Sequence, residues 1–227
     1  MTRPLVSVIV PAFNAERTLS RAFNSVLQQH YPHWELTIVN DGSSDGTGNV
    51  SESIAKVDPR VRVVHQKNLG LSAARNRGLQ ESSGELIQFL DADDELLPEK
   101  LAVQVEILEP RSAVDLVICD AEIVRSDSTL KSPYQFPDKN FATELWERNF
   151  IVVNSPLIRR QMINLTGAFH HEPAGGYEVY GCEDWEFWLR MFQLGAECQI
   201  TRKVLVRNHQ DGSTMSEDKL KMALSEL

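Results

Sequence analysis

The chain lacks most of the features that mark secreted, membrane-spanning or nucleic-acid-binding proteins. Its three cysteines, Cys119, Cys182 and Cys198, are odd in number and none is spaced like a metal knuckle. A disulfide framework and a structural zinc site are therefore both disfavoured, and a reducing cytosol is the simpler setting. The apolar run at 5–10, between Pro4 and Pro11, is too short for a signal-peptide core or a membrane span. A cytoplasmic protein is expected, with membrane association, at the inner face, only of a peripheral kind. Basic charge is scarce, with 23 Lys and Arg against 32 Asp and Glu and a net charge of −9, so no nucleic-acid partner is expected. Neither a Gly-rich dinucleotide fingerprint nor a P-loop follows the first apolar run. There is no internal repeat, low-complexity tract or linker to divide the chain.

What is present is an alternation of short β-branched runs and amphipathic stretches. At 227 residues, 42% hydrophobic and 24% charged, the chain suits a single α/β domain over 1–227. LVSVIV at 5–10 and WELTIV at 34–39 read as strands, as do shorter runs at 61–64, 85–90 and 115–119. Asn14 is placed to cap a helix carrying Leu19, Ala22, Phe23, Val26 and Leu27, and Asp45 to cap one carrying Val50, Ile54 and Val57. Pro98 suits the first turn of a helix with Leu101, Val105 and Leu108. The pattern weakens over 120–149, with a short helix expected at 143–148; 151–158 looks extended and 198–206 reads as a last strand before a loop, NHQDGST. Gly175 and Gly176 mark another loop, after which Trp185, Trp188, Leu189 and Phe192 form a helical stripe.

The most informative stretch is ELIQFLDADD at 85–94, where a buried apolar strand ends in Asp91, Asp93 and Asp94. In open α/β sheets ligands bind at the carboxyl ends of strands. Acids there repel a diphosphate unless a divalent cation stands between them. A DxD pair alone is equally the pattern of a solvated acidic turn. In this chain, however, VSVIVPAFNAE, VNDGSSDGT, NLGLSAARNRG, FLDADD and GCEDWEFWLR occur in order, and together they resemble the inverting GT-A glycosyltransferases of family 2 over roughly 5–214.

That resemblance implies a GT-A, Rossmann-like fold: a three-layer α/β/α sandwich with a mostly parallel central sheet. Its nucleotide-binding half would lie at about 1–119 and its acceptor-binding half at about 120–227. It implies a metal-dependent enzyme of polysaccharide biosynthesis, moving a sugar from a nucleotide-sugar, a UDP-sugar by the family pattern, to a hydroxyl of a saccharide or lipid-linked saccharide. Pro11, Ala12, Phe13 and Glu16 match the first nucleotide-binding segment and Asp41 the acid that contacts the base, with loop packing and a turn cap as the plainer roles. Arg75 is similar to a basic residue near the donor phosphates, or is a surface helix arginine. Asp91 addresses the donor, Asp93 ligates Mn²⁺ or Mg²⁺, and Asp94 caps the loop or acts beside them. Asp184 is the general base and Glu183 its helper, unless both simply complement a helix dipole. His209 resembles a late element that contacts metal or phosphate, although Val206 stands where the family usually has an aromatic. The alternatives are a nucleotide-sugar-binding module without turnover, which needs no base, and a sugar nucleotidyltransferase, which needs a Gly-rich basic loop that PAFNAE lacks. Relatives often continue beyond this point with helices that cover the acceptor or touch membranes, so the chain is expected to be a compact member or a piece of a longer one.

Overall fold

The computed structural model describes residues 3–125, 130–131, 136–137, 141–170 and 182–210. The expected loop at Gly175 and Gly176 and the end of NHQDGST lie outside the described residues. Strands β1 (Val6–Ala12), β2 (Trp34–Asp41), β3 (Val61–Gln66) and β4 (Leu86–Phe89) are joined by helices α1 (Leu19–Leu27), α2 (Thr47–Ala55) and α3 (Leu71–Gln80). The chain continues with β5 (Glu95–Leu96), α4 (Lys100–Leu108), β6 (Leu116–Arg125), β7 (Leu130–Lys131) and α5 (Phe141–Glu147). It then forms β8 (Leu157–Arg159), α6 (Arg160–Thr166), α7 (Glu183–Gln193) and β9 (Cys198–Gln210).

One nine-stranded sheet runs in the order β3-β2-β1-β4-β8-β6-β9-β5, with β7 on β6. The first half, β3-β2-β1-β4, is wholly parallel, as crossover helices require. The second half is mixed: β8 is antiparallel to both β4 and β6, whereas β6 and β9 are parallel. The reversal at β8 comes from an approach that the sequence pattern hides, since most of 151–158 is not strand and α6 follows β8 without a turn cluster.

Strand alternation divides the core into two layers. Val6, Val8, Val10, Leu86 and Leu90 pack with Leu19, Val26, Leu101 and Val105 on one face, under α1 and α4. Ile9, Ile87, Phe89, Leu116 and Ile118 pack with Met162, Phe187, Trp188 and Met191 on the other, under α6 and α7. This is the period-two pattern of a sheet covered on both sides, and it gives the expected three layers. Helix α7 is sandwiched more tightly than its stripe suggests. Phe187, Trp188 and Met191 face the sheet, while Trp185, Leu189 and Phe192 are only partly buried; Phe192 lies against Phe141 of α5, with ring centroids 5.2 Å apart.

Two other sequence expectations shift. Asn14 is not an N-cap: α1 begins at Leu19 after Thr18, and Asn14 adopts φ 50°, with its side-chain oxygen accepting from Ser44 N at 2.9 Å. The last strand runs on to Gln210, so His209 sits on β9 and not in a loop. Beneath the site, Lys100 is fully buried and donates to the side-chain oxygens of Gln88 and Gln104 and to Ser155 O. Burial among neutral acceptors pushes its ammonium down to about 8.

Helix α3 passes so close to β1 that a Cβ on Gly78 would lie 2.3 Å from Ile9 Cγ2. An alanine in a helix interior gains about 1 kcal/mol over glycine, whereas overpacking a rigid β-branched neighbour costs about 1–3 kcal/mol. Gly78→Ala is therefore expected to lower stability by up to about 2 kcal/mol in urea unfolding, with an unchanged denaturant slope.

Candidate active site

The carboxyl ends of β1, β2 and β4 form one floor, and the loops that leave them are bonded to each other. Pro11 and Ala12 are buried at the end of β1, whereas Phe13 is 51% exposed. Beyond it, Asn14 N donates to Ser43 Oγ at 3.0 Å, Ala15 N to Thr47 Oγ1 at 2.7 Å and Glu16 N to Asp45 Oδ2 at 3.2 Å. Glu16 returns the contact by accepting from Gly46 N at 3.1 Å. Asp45 also accepts from Thr47 N at 3.0 Å, so it serves the first turn of α2, although the N-cap position itself is Gly46. A dense turn and an ordinary-looking strand exit thus act as a single rigid lip.

Asp41 is buried at the end of β2 and its carboxylate accepts from Gln66 Nε2 (2.7 Å), Leu69 N (2.9 Å) and Gly70 N (2.9 Å). Gly70 itself adopts φ 89°, a conformation that glycine takes without steric cost. A carboxylate has about four acceptor positions. Asp41 therefore anchors the 66–70 loop and keeps one position over.

The acidic turn after β4 is closed by Asp94 N donating to Asp91 O at 3.1 Å. Arg21 of α1 donates to Asp93 O at 2.5 Å. Asp94 is buried, and its carboxylate accepts from Asn154 Nδ2 (2.5 Å), Asn208 Nδ2 (3.0 Å) and His209 N (2.8 Å). It ties the end of β9 to the turn, a longer reach than capping its own loop. Burial, with Asp93 and Asp91 adding repulsion, pushes its carboxyl well above the usual range. His209 Nε2 lies 2.6 Å from Glu95 Oε2, so its ring is engaged by a carboxylate on β5.

Arg75 links this turn to the start of α7. Its side chain is 2% exposed, with Nη2 3.1 Å from Asp91 Oδ1 and Nη1 2.7 Å from Glu183 Oε1. It is not a surface arginine; its Nε is buried without a partner. Its neighbour Asn76 grips the backbone of Phe169 through both amide groups, at 2.7 and 2.8 Å, and the Phe169 ring lies 5.4 Å from the guanidinium. Helix α3 therefore presents a cation upward and holds the approach to α7 at the same level.

Asp184 stands in the first turn of α7 with Glu183 and Glu186. Its Oδ1 accepts from Asn149 Nδ2 at 3.2 Å and Trp185 N at 2.7 Å. Burial and the neighbouring Glu183 push its carboxyl up to about 7, against the opposing pull of Arg75. Asp93 is pushed up to about 6 by burial and by Asp91, with Arg21 and His209 opposing. A carboxyl poised near neutrality beside a buried ion-pair network marks a candidate for proton transfer.

Among the described residues, no group of three or more His, Cys, Asp or Glu side chains is arranged to hold a metal ion. The donor chemistry near the turn still suits a hard divalent cation. Mg²⁺ and related ions take oxygen ligands, often one or two carboxylates with the rest from phosphates and water, and Asp93 sits where its own charge is disfavoured.

The structure thus brings Asp91, Arg75, Glu183 and Asp184 into one network, with Asp93, Asp94 and His209 on its flank. Pro11, Ala12, Phe13, Glu16 and Asp41 form the neighbouring lip. Sequence reading missed Asn149, Asn154 and Asn208, the amides that hold Asp184, Asp91 and Asp94. The one available signal was a lone amide in the apolar run FIVVN. Trp185 and Trp188 donate to Leu145 O and Ile151 O and are packing residues. Trp146 on α5 is 55% exposed.

The mixed α/β sheet, with an acidic turn at the end of its strand β4, has the GT-A arrangement. The chain belongs to glycosyl transferase family 2, whose sequence model matches residues 7–171. It is similar to TuaG of Bacillus subtilis (strain 168), at 42% identity over 111 residues, 48% of this chain and 44% of that protein. It is also similar to the uncharacterized glycosyltransferase EpsJ of the same organism, at 30% identity, covering 98% of this chain and 66% of that one. The chain spans about half to two thirds of the length of these relatives. The fold matches that of Staphylococcus aureus TarS 1–349 in complex with UDP-GlcNAc, with a TM-score of 0.77 at 20% identity over 93% of this chain and 60% of that one. A mannosyltransferase from Pyrobaculum calidifontis in complex with GDP-Man and Mn²⁺ matches with a TM-score of 0.73 at 20% identity, over 98% and 61%. No helix among the described residues is long and apolar enough to cross a membrane.

Removing the cation between Asp91 and Glu183 leaves a buried carboxylate uncompensated, a loss of about 3–5 kcal/mol. Arg75→Met is expected to show that loss in urea unfolding. Arg75→Lys keeps the charge but not the fork that reaches both acids, so it should recover only part of it.

Proposed function

We propose that this chain transfers a sugar, with inversion, from a UDP-sugar to a hydroxyl of a saccharide or lipid-linked saccharide. Asp184 is the general base and Asp93 the ligand of a divalent cation, Mn²⁺ or Mg²⁺. The observation that carries the reading is the buried Arg75, which joins Asp91 of the acidic turn to Glu183 beside the base. A binding module has no use for a carboxyl poised near pH 7 at the far end of such a bridge.

In this reading the lip formed by Pro11, Ala12, Phe13 and Glu16 takes the nucleotide, and the acceptor position left on Asp41 reads the base. Asp91 keeps one oxygen on Arg75 and addresses the donor with the rest of its carboxylate. Asp93 would hold the cation, with His209 on the same side of the turn; when bound, a cation there would offset charge on the departing diphosphate. Asp184 takes the proton of the acceptor hydroxyl as that oxygen attacks the anomeric carbon. No covalent enzyme intermediate is needed, because inversion is a single displacement. Asn149 orients the base, and Glu183, paired with Arg75, keeps Asp184 from ionising too early. Support for a nucleotide-sugar donor comes from the UDP-GlcNAc complex of TarS and the GDP-Man and Mn²⁺ complex of the mannosyltransferase, and the uridine preference from the NDGSSDGT segment.

The test is transfer and donor binding with UDP- and GDP-sugars, with Mn²⁺ and with a chelator. A positioned base contributes about 10²–10⁴ in rate, so Asp184→Asn should lose that much in kcat while donor affinity is kept. An unchanged rate would remove Asp184 from the mechanism. Asp93→Ala should abolish the difference in donor affinity between Mn²⁺ and chelator.

The acidity of Asp184 sets the sign of the pH dependence. A base works deprotonated, so kcat should climb with pH and level off above about 7. Stability runs the other way. Asp93 and Asp184 bind protons more tightly folded than unfolded, so each contributes stability that falls as pH rises, from roughly pH 4 to 6 for Asp93 and from roughly pH 4 to 7 for Asp184. Asp184→Asn should flatten part of that fall in a series of melting temperatures.

A further inference from the structure

We propose that Asn154, which lies outside every motif of the chain, is the positioning residue that sets the shape of the acidic turn. It thereby sets the spacing of the acids that take the cation and donor. The inference rests on the reading of Asp93 as a cation ligand.

Asn154 is fully buried in the segment leading into β8, the strand that neighbours β4. Its Oδ1 accepts from Asp91 N at 2.7 Å, and its Nδ2 donates to Asp94 Oδ2 at 2.5 Å. One planar amide therefore grips both ends of the turn, across the bond from Asp94 N to Asp91 O. An acceptor and a donor are needed side by side, and only an amide side chain of this length offers both. Asn154 is itself held from behind. Its carbonyl accepts from Gln88 Nε2 at 2.8 Å, and Gln88 is bonded to the buried Lys100. By contrast, the hydroxyl of the adjacent Ser155 is taken up by Cys119, whose N and O it bridges at 2.9 and 2.7 Å. Asn208 completes the shell on Asp94 Oδ2, while its own Oδ1 is buried without a partner.

That last detail supplies a rescue. In Asn154→Asp the new carboxylate still accepts from Asp91 N but faces the carboxylate of Asp94. Adding Asp94→Asn restores a donor at position 94, which can bond to the carboxylate at 154 and to the orphaned Oδ1 of Asn208 if that amide turns over.

The experiment compares wild type, N154D, the double variant N154D/D94N and S155A. It measures backbone amide exchange at residues 91–95 and UDP affinity by calorimetry with Mn²⁺ and with a chelator. N154D should speed exchange at Asp91 and Asp94 at least tenfold beyond the change at other core amides. It should also weaken the Mn²⁺-dependent part of UDP binding at least tenfold. The double variant should recover both, and S155A should lower the melting temperature while moving neither. If exchange at 91–95 in N154D only tracks global stability, as in S155A, or if the double variant is no better than N154D, the positioning role is overturned. If wild-type protein binds UDP equally with Mn²⁺ and with chelator, the metal reading of Asp93 falls instead. The exchange data then decide by themselves whether Asn154 shapes the turn.

Discussion

The structure depends on a guanidinium placed out of water between two carboxylates. Arg75 meets Asp91 on one side and Glu183, separated from it by 108 residues, on the other. A cation buried this completely is tolerable only if it is paired and hydrogen-bonded, because desolvating an ion costs several kcal/mol even after relaxation. The pairing is therefore a geometric condition on the fold. Helix α3 must deliver Arg75 to the end of β4, and α7 must begin where its first acid can reach the same group. The parallel half of the sheet and the opposing helix are held in register by that requirement, with Asn76 gripping Phe169 as a further tie across the same face.

Around this bridge, like charges are crowded on purpose. Asp91, Asp93, Asp94, Glu183 and Asp184 share one region, and the consequence appears as carboxyls pushed up at Asp93, Asp94 and Asp184. Such crowding works against stability, and proteins keep it where function needs a poised group. The three acids are separated by environment. Asp94 is enclosed by amide and backbone donors, Asp93 is left where a cation would relieve it, and Asp184 sits at a helix start with one amide on it. The same side chain thus meets three different environments within one region.

Rigidity comes from polar groups that behave like extra backbone. Asn76, Asn154 and Asp41 each satisfy main-chain N–H or C=O groups of a loop that has no sheet or helix to do so. A buried loop carries unpaired donors and acceptors that must be met. These residues meet them, and they fix the loops while doing so.

The alternating and amphipathic patterns, by themselves, determined the parallel half of the sheet, its two apolar layers and the strand end where the acids emerge. This follows because a strand period of two and a helix period of 3.6 are local properties that neighbours in sequence reveal. The ordered motifs also singled out Asp41, Asp93 and Asp184 as candidate site residues. Only the tertiary structure decided that Arg75 is buried between two acids, that His209 lies on a strand bonded to Glu95, and that β8 enters antiparallel to β4. It alone showed that Asn149, Asn154 and Asn208 hold the site's carboxylates. Each of those facts is a pairing between residues far apart in the chain. An isolated arginine, histidine or asparagine carries no periodicity to announce its partner, so the pairing exists only once the sheet has brought the two ends together.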